Sequence, residues 1–196
     1  MTANRQLTPA DILPWDEYAR DRAGHRRRIS AKKRNRRLEV GPFVTFYFES
    51  FDTMWLQVQE MLHIEKGGAA QLADEIAAYS PLIPNGRELT ATFMIEIDDE
   101  LRRHRVLGGL GGIEETAFLQ IGGDKITGVA EQDQDRTTAE GKASSVHFLH
   151  FPFTDAQVAA FRAPGAQVIL GFSHAGYSHM AVMPDAVREE LAGDFG

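Results

Sequence analysis

The most constraining feature of the sequence is an apolar stripe with helical spacing between residues 51 and 62. Its members are Phe51, Met54, Trp55, Val58, Met61 and Leu62. These positions fall on one face of a helix, because an α-helix turns once every 3.6 residues. Gln57, Gln59, Glu60 and His63 occupy the other side. The stripe must be buried against another apolar layer, either the chain's own sheet or a second subunit, so a homo-oligomer is compatible with the pattern.

Several other segments have the composition of β-strands. Residues 43–50 and 90–97 are rich in β-branched and aromatic side chains, and residues 145–153 are apolar on both faces, as in a central strand. Further strands are predicted at 116–121, 126–130 and 166–172. A helix-rich start followed by strands and hairpins indicates an α+β fold, with an N-terminal helical region and helices packed on a mainly antiparallel sheet.

The length and composition suit one globular domain. The chain has 196 residues, of which 43% are hydrophobic. We divide this single α+β domain, residues 1–196, into a helical, basic segment (1–40) and a mixed α/β body (43–196). Cysteine is absent, which excludes disulfides, thiolate metal sites and a cysteine nucleophile. No signal peptide is recognisable, and no apolar run approaches the ~20 residues that span a membrane, so we expect a cytoplasmic protein without a membrane partner.

A basic run stands out from an otherwise acidic chain, whose net charge is −7. Its cationic residues are Arg26, Arg27, Arg28, Lys32, Lys33, Arg34, Arg36 and Arg37. Such a run can bind phosphates, which makes a nucleic-acid-binding module using residues 26–37 an alternative function. Aromatic residues for base stacking are missing between Gly24 and Val40. Pairing of the run with carboxylates of the chain itself or of a protein partner is therefore favoured.

Five residues in the second half form a candidate ligand-binding group. His147 and His150 lie three positions apart in a predicted strand, so their side chains point to opposite faces and are not expected to chelate one ion. His174, Tyr177 and His179 lie in a glycine-containing loop after the 166–172 strand, and such loops often carry function. Convergence of the loop with a strand histidine would suit a histidine-dependent metalloenzyme, the second alternative. For each residue, however, a purely structural role is favoured.

The remaining motifs indicate no catalytic centre. Glu60-Met61-Leu62-His63 matches the Glu-x-x-His motif of di-iron carboxylate proteins, but the sequence contains one copy and no partner helix, which favours a solvated helix face. The glycine-rich residues 108–112 match neither a dinucleotide-binding nor a phosphate-binding loop. We therefore predict no cofactor, no metal site and no identifiable catalytic residue, and we favour a binding function over an enzymatic one.

Six stretches carry a family resemblance: "LTPADILPWDEYARDR", "KKRNRRLEVGP", "QVQEMLHIEK", "NGRELTATFMIEI", "SSVHFLHF" and "GFSHAGYSH". In this order they resemble the bacterial domain of unknown function family 3501 over nearly the whole chain. The resemblance implies no activity and no catalytic residues. Members of that family are often encoded beside rubrerythrin-like proteins and iron–sulfur oxidoreductases. By this association, the resemblance implies an accessory or binding protein in an oxidative-stress or redox pathway, with such proteins as partners.

Overall fold

A computed structural model describes residues 5–131, 137–138 and 141–196 of the chain. The helices in these residues are α1 (Trp15–Lys33), α2 (Phe51–Glu65), α3 (Gly68–Tyr79), α4 (Glu100–Leu107), α5 (Asp155–Arg162) and α6 (Asp185–Leu191). The strands are β1 (Arg37–Val40), β2 (Val44–Phe48), β3 (Glu88–Ile95), β4 (Ala117–Ile121), β5 (Asp124–Thr127), β6 (Val129–Ala130), β7 (Val146–Pro152), β8 (Val168–Phe172) and β9 (Met180–Val182).

The strands form two antiparallel sheets, which confirms the predicted α+β class. The first sheet has the order β1-β2-β3-β7-β6, and the second has the order β5-β4-β8-β9. The apolar segment predicted as a central strand is β7, which pairs with β3 on one side and β6 on the other. The predicted 116–121 and 126–130 strands correspond to β4 and to parts of β5 and β6, and the structure places β5 and β6 in different sheets.

The main hydrophobic core lies between the two sheets. Phe46 on β2 and Phe93 on β3 point inward from the first sheet, and Phe172 on β8 points inward from the second. The ring centre of Phe46 lies 5.3 Å from each of the other two rings. All three side chains are buried, and burying one such side chain stabilises the fold by ~1.5–3 kcal/mol.

A second apolar cluster lies on the other side of the first sheet, where the helices pack. It comprises Leu7, Tyr18, Met54, Trp55, Val58, Leu82 and Ile83. Phe148, which points outward from β7, packs against this cluster. The hydroxyl of Thr90 on β3 also donates a hydrogen bond to the carbonyl of Leu82 at 2.5 Å. The helical layer is thereby attached to the outer face of the first sheet.

The apolar stripe of α2 is buried only in part. Met54, Trp55 and Val58 are buried as the spacing predicts, whereas Leu62 is half-buried. Gln59, predicted on the polar side, is only 2% exposed. The N-terminus of α2 is capped reciprocally: the backbone N–H of Ser50 donates to Thr53 Oγ1 at 2.8 Å, and that of Thr53 donates to Ser50 Oγ at 3.3 Å.

The basic run belongs to the second half of α1, to the turn that follows it and, through Arg37, to the start of β1. Before this helix, Thr8 precedes a single 3₁₀ turn over Pro9–Asp11, and α1 itself begins at Trp15. The backbone of α1 departs from helical geometry at Asp21, with φ of −125°. None of the helices in the described parts of the chain is long and apolar enough to cross a membrane.

Candidate functional site

A cavity of about 500 Å³ lies among α1, α2, α3 and the residues that precede α1; we call it the helical cavity. Its apolar walls include Ile12, Leu13, Trp15, Leu62 and Leu72. Its polar wall residues are Tyr18, Gln59, His63 and Lys66. Gln59, Leu62, His63 and Lys66 follow one another at short helical spacing, so they form one continuous strip along α2 and its end. Two of the four α2 residues predicted on the polar side, Gln59 and His63, therefore line this cavity.

Trp15 forms the outer wall of the helical cavity. Its indole stacks on the ring of His63, with ring centres 5.2 Å apart and planes inclined by 11°. Its Nε1 donates a hydrogen bond to the carbonyl of His63 at 3.2 Å. The ammonium of Lys66 lies 5.2 Å from the indole centre, a cation–π distance. Because Trp15 remains 49% exposed, it covers the cavity without sealing it.

Tyr18 is fully buried behind the helical cavity. Its ring stacks on His25 at 5.4 Å and meets the rings of His63 and Trp55 edge-on at 5.8 and 6.0 Å. Its hydroxyl donates to Glu60 Oε1 at 2.5 Å. Burial, together with this hydrogen bond to an anionic acceptor, raises the pKa of Tyr18. The tyrosine therefore stays protonated and connects α1 to α2.

Glu60 is held as a carboxylate by α1. Arg22 donates two hydrogen bonds to it, from Nε at 2.9 Å and from Nη2 at 2.8 Å. The Arg22 hydrogen bond, reinforced by that of Tyr18, lowers the pKa of Glu60 to about 2. The prediction of a solvated helix face is wrong for this position, because the Glu60 side chain is only 18% exposed.

Two polar atoms of cavity-lining residues lack a hydrogen-bond partner among the described residues. They are Nε2 of Gln59 and Nδ1 of His63, and both atoms are buried. Leaving a buried polar group unpaired costs ~1–3 kcal/mol, and native structures seldom do so without a reason. Sequence reasoning missed this pair, although the Glu60–His63 spacing placed His63 within a recognised motif.

The predicted basic residues have different environments. Arg36 is buried, and its guanidinium donates to the carbonyl of Glu49 at 2.7 Å and to Asp194 Oδ2 at 2.5 Å. Lys32 pairs with Asp52. Arg26 lies 3.9 Å from Glu60.

The other basic residues are closer to solvent. Arg28 lies over the ring of Trp55 at 5.9 Å. Lys33 is half-buried, and Arg27, Arg34 and Arg37 are exposed. The structure therefore shows intramolecular pairs for part of the run. Binding of the exposed arginines to a nucleic acid or to a protein partner stays a prediction.

The structure does not bring His147 and His150 together. His147 points into the core between the sheets, where its ring stacks on Phe93 at 4.4 Å. His150 lies on the opposite face of the sheet, between Glu88 at 3.0 Å and Glu131 at 2.7 Å. The hydrogen bond with Glu88, aided by that with Glu131, raises the pKa of His150. The two faces are those that strand alternation assigned to them.

The loop between β8 and β9 places His174, Tyr177 and His179 close together in the chain but in different roles. Tyr177 is buried, and its hydroxyl donates to the carbonyl of Val40 at 2.8 Å, which links the loop to the first sheet. His174 Nδ1 accepts from the N–H of Gly176 at 3.0 Å. His179 is exposed and meets the Tyr177 ring edge-on at 4.5 Å. Ligand binding by this loop stays a prediction.

Across residues 5–131, 137–138 and 141–196, no group of three or more His, Asp or Glu side chains is arranged to hold a metal ion.

Comparison with known proteins gives a family and a fold, but no activity. The family model DUF3501, described as a protein of unknown function, matches residues 6–195. A similar solved structure is the 1.90 Å crystal structure of a novel protein of unknown function from Burkholderia pseudomallei K96243. It is 35% identical over 100% of both chains, with a TM-score of 0.90. No curated protein matches the chain.

Proposed function

This chain belongs to the DUF3501 family of proteins of unknown function, and we propose that it binds a small, largely apolar molecule in the helical cavity. The observation that carries the proposal is a space of about 500 Å³ with mainly apolar walls, next to polar side-chain atoms that lack partners. Ligand sites are typically clefts of ~300–1,000 Å³ with apolar walls and a few polar groups that orient the ligand. The helical cavity has both the size and the composition of such a site.

The packing around the helical cavity supports this proposal. No residue of α3 in the described structure is buried, although α3 supplies part of the cavity wall. A well-packed layer would fill this space with its own side chains, because protein interiors are as dense as organic crystals. An apolar ligand between α2 and α3 would restore the missing contacts.

Binding of Nile red, an uncharged apolar dye that fluoresces in apolar surroundings, tests the proposal. Ala69 lines the cavity and is exposed, so Ala69→Trp should fill the cavity and weaken dye binding about tenfold or more while leaving the fold intact. The matched control is Ala78→Trp, which introduces the same side chain at an exposed position of the same helix outside the cavity lining. Absence of dye binding to the wild type, or equal binding by both variants, would refute the proposal.

A finer proposal concerns the pathway. We propose that the protein acts as an accessory or binding protein in oxidative-stress or redox metabolism, with rubrerythrin-like or iron–sulfur proteins as partners. This proposal rests on the family resemblance alone. Deleting the gene should then increase sensitivity to hydrogen peroxide, and the Ala78→Trp variant should restore resistance. Failure of Ala69→Trp to restore it would connect the pathway to the cavity, whereas unchanged sensitivity after deletion would count against the role.

Nucleic-acid binding through residues 26–37 remains a second candidate, favoured by the exposure of Arg27, Arg34 and Arg37 on one short segment. Phosphate contacts need arginines free of competing carboxylates, and these three form no ion pair with the described residues.

A further inference from the structure

We infer that the ligand of the helical cavity is a hydrophobic carboxylate: an apolar body, aromatic or aliphatic, with one anionic oxygen-bearing end. This inference rests on the proposed function and specifies its ligand class. Four polar residues line the cavity, and their charges and existing hydrogen bonds determine which chemical group the cavity favours.

The charge of the lining has one sign. Lys66 is the only charged side chain among the described residues that line the helical cavity, and no carboxylate lines it. Glu60 comes near through its hydrogen bond with Tyr18, but the Arg22 guanidinium neutralises its charge, and it is not part of the lining. A ligand anion would therefore meet a cation at the rim and no opposing carboxylate on the walls, whereas a ligand ammonium would meet repulsion from Lys66.

The neutral polar groups of the lining differ in whether they have a proton left to donate to a ligand. The Tyr18 hydroxyl already donates its proton to Glu60, so it has none to offer a ligand. Only 2% of Gln59 is exposed, and its Nε2 has no acceptor among the described residues. His63 Nδ1 is likewise without a partner. Both nitrogens are buried while the cavity is empty, so they donate to a ligand oxygen only after the Gln59 and His63 side chains turn toward the cavity, with the His63 proton on Nδ1.

The polar and the apolar residues lie on different parts of the cavity wall, so the two ends of a ligand would contact different segments. Gln59, His63 and Lys66 lie along one strip of α2 and its end, while Leu13 and Leu72 lie on other segments of the wall. A carboxylate oriented toward the α2 strip would meet the Lys66 ammonium at its end, and the Gln59 and His63 nitrogens once these side chains turn toward it. Its apolar body would then extend toward the aliphatic residues.

Isothermal titration calorimetry with three matched compounds tests the ligand class. The compounds are 4-phenylbutyrate, 4-phenylbutan-1-ol and 4-phenylbutylamine, which differ only in the terminal group. For molecules of this size we expect a dissociation constant on the order of 0.1–1 mM for the acid. The amine should bind about tenfold more weakly, with the alcohol in between.

Two variants assign the effect to residues. Lys66→Met should weaken binding of the acid about fivefold, the upper range for an exposed ion pair, and leave the alcohol unchanged. Gln59→Met, which retains the volume without the amide, should weaken the acid and the alcohol alike, and its melting temperature shows whether the fold is retained. The matched control is Lys125→Met: Lys125 also covers an aromatic ring, that of Phe118 at 3.8 Å, but lies on β5 away from the cavity.

The failure of the ligand class can be distinguished from the failure of the binding site. Equal affinity for the three compounds, or tightest binding of the amine, would overturn the carboxylate assignment while Nile red binding could still support the cavity as a ligand site. An acid preference that survives Lys66→Met and Gln59→Met would instead overturn the assignment of Lys66 and Gln59 as the groups that recognise the carboxylate. Absence of Nile red binding to the wild type refutes the proposed function itself, independently of the preference among the three compounds.

Discussion

The two sides of the first sheet differ in how completely they are packed. Toward the second sheet, the space is filled by interlocking side chains such as Phe46, Phe93 and Phe172, all buried. Toward the helices, Tyr18 and Trp55 are buried, but a cavity of about 500 Å³ remains beside them. The same sheet thus supports a dense core on one face and, on the other, a helical layer with an open cavity among its helices.

The difference fits the proposed function, in which the core between the sheets provides stability and the helical layer binds a ligand. A dense core stabilises the fold in proportion to the apolar area that it buries. A hollow layer gives up part of that stabilisation, and the two unpartnered atoms of Gln59 and His63 lower it further. Sites that bind ligands commonly show such local deficits in stability, because the groups that meet the ligand cannot also satisfy one another.

The largest loss of stability should come from creating a cavity in the core between the two sheets. Phe46→Ala is expected to cost about 3–5 kcal/mol of unfolding free energy, because removal of the ring leaves a void that the core cannot fill. Leu62→Ala should cost only about 1 kcal/mol, since half-buried Leu62 already borders open space. Urea denaturation measures both. Similar losses of unfolding free energy for the two substitutions would show that the two layers do not differ in packing.

Arg36 connects the basic run to the C-terminal residues on the dense side. Arg36→Met should destabilise the protein by about 3–5 kcal/mol, because it removes a buried guanidinium and leaves Asp194, whose side chain is only 12% exposed, without that partner. Burial by itself raises the pKa of Asp194, and the Arg36 charge opposes that rise. Arg37→Met, at the exposed neighbouring position, is the control and should stay within ~0.5 kcal/mol. If the two variants give the same thermal denaturation curve, the pair of Arg36 and Asp194 contributes no net stability.

Glu60 should make the helical layer sensitive to acid. Its pKa of about 2 in the folded protein lies below its ordinary value of 4.5, so its contribution to stability is present above pH 4.5 and is lost as the pH falls through 2. At pH 6, Glu60→Gln should cost about 1.5–3 kcal/mol through weakened charge-assisted hydrogen bonds. The gap between wild type and variant should shrink at pH 2.

The control for this pH dependence is Glu39→Gln, since Glu39 is exposed and lies on β1, outside the helical layer. Glu39→Gln should change the unfolding free energy only slightly, and by the same amount at pH 6 and at pH 2. A Glu60→Gln deficit that does not change with pH would mean that the carboxylate charge is not what connects α1 to α2.

The smallest effect on stability should come from the exposed arginines. The triple substitution Arg27/Arg34/Arg37→Glu should change the unfolding free energy by no more than ~0.5 kcal/mol per site, because these side chains face solvent. We also expect no submicromolar binding of single-stranded RNA or duplex DNA by the wild type in fluorescence titrations. Tight binding that weakens steeply with salt and disappears in the triple variant would instead establish the nucleic-acid function.

Local patterns were enough to predict much of the fold. The α2 helix, the strands at 90–97 and 145–153, and the opposite orientations of His147 and His150 all follow from periods of 3.6 and 2 residues. β1 and β9 were not predicted: β1 begins at Arg37, the last residue of the basic run, and β9 is short with two of its three residues exposed. Weakly patterned edge strands become strands mainly because a neighbour supplies hydrogen bonds.

The candidate site could be predicted only in part. The Glu60–His63 motif was recognised, but its environment was misjudged, because α2 has polar residues on the side that faces the cavity. Gln59 is buried even though it lies outside the apolar stripe. One sequence gives no signal that Trp15 and Tyr18, which belong to a distant segment, would lie against that polar side.

The sequence by itself determined the class of fold and the register of side chains along each element, because helix and strand periodicity are local properties of the chain. Only the tertiary structure decided that the strands divide into two sheets, that Arg36 is buried against the C-terminal residues and that a cavity remains beside Gln59 and His63. These features depend on which distant segments meet and on how well their side chains fill the space between them. Packing is a property of the assembled layers, and no single segment encodes it.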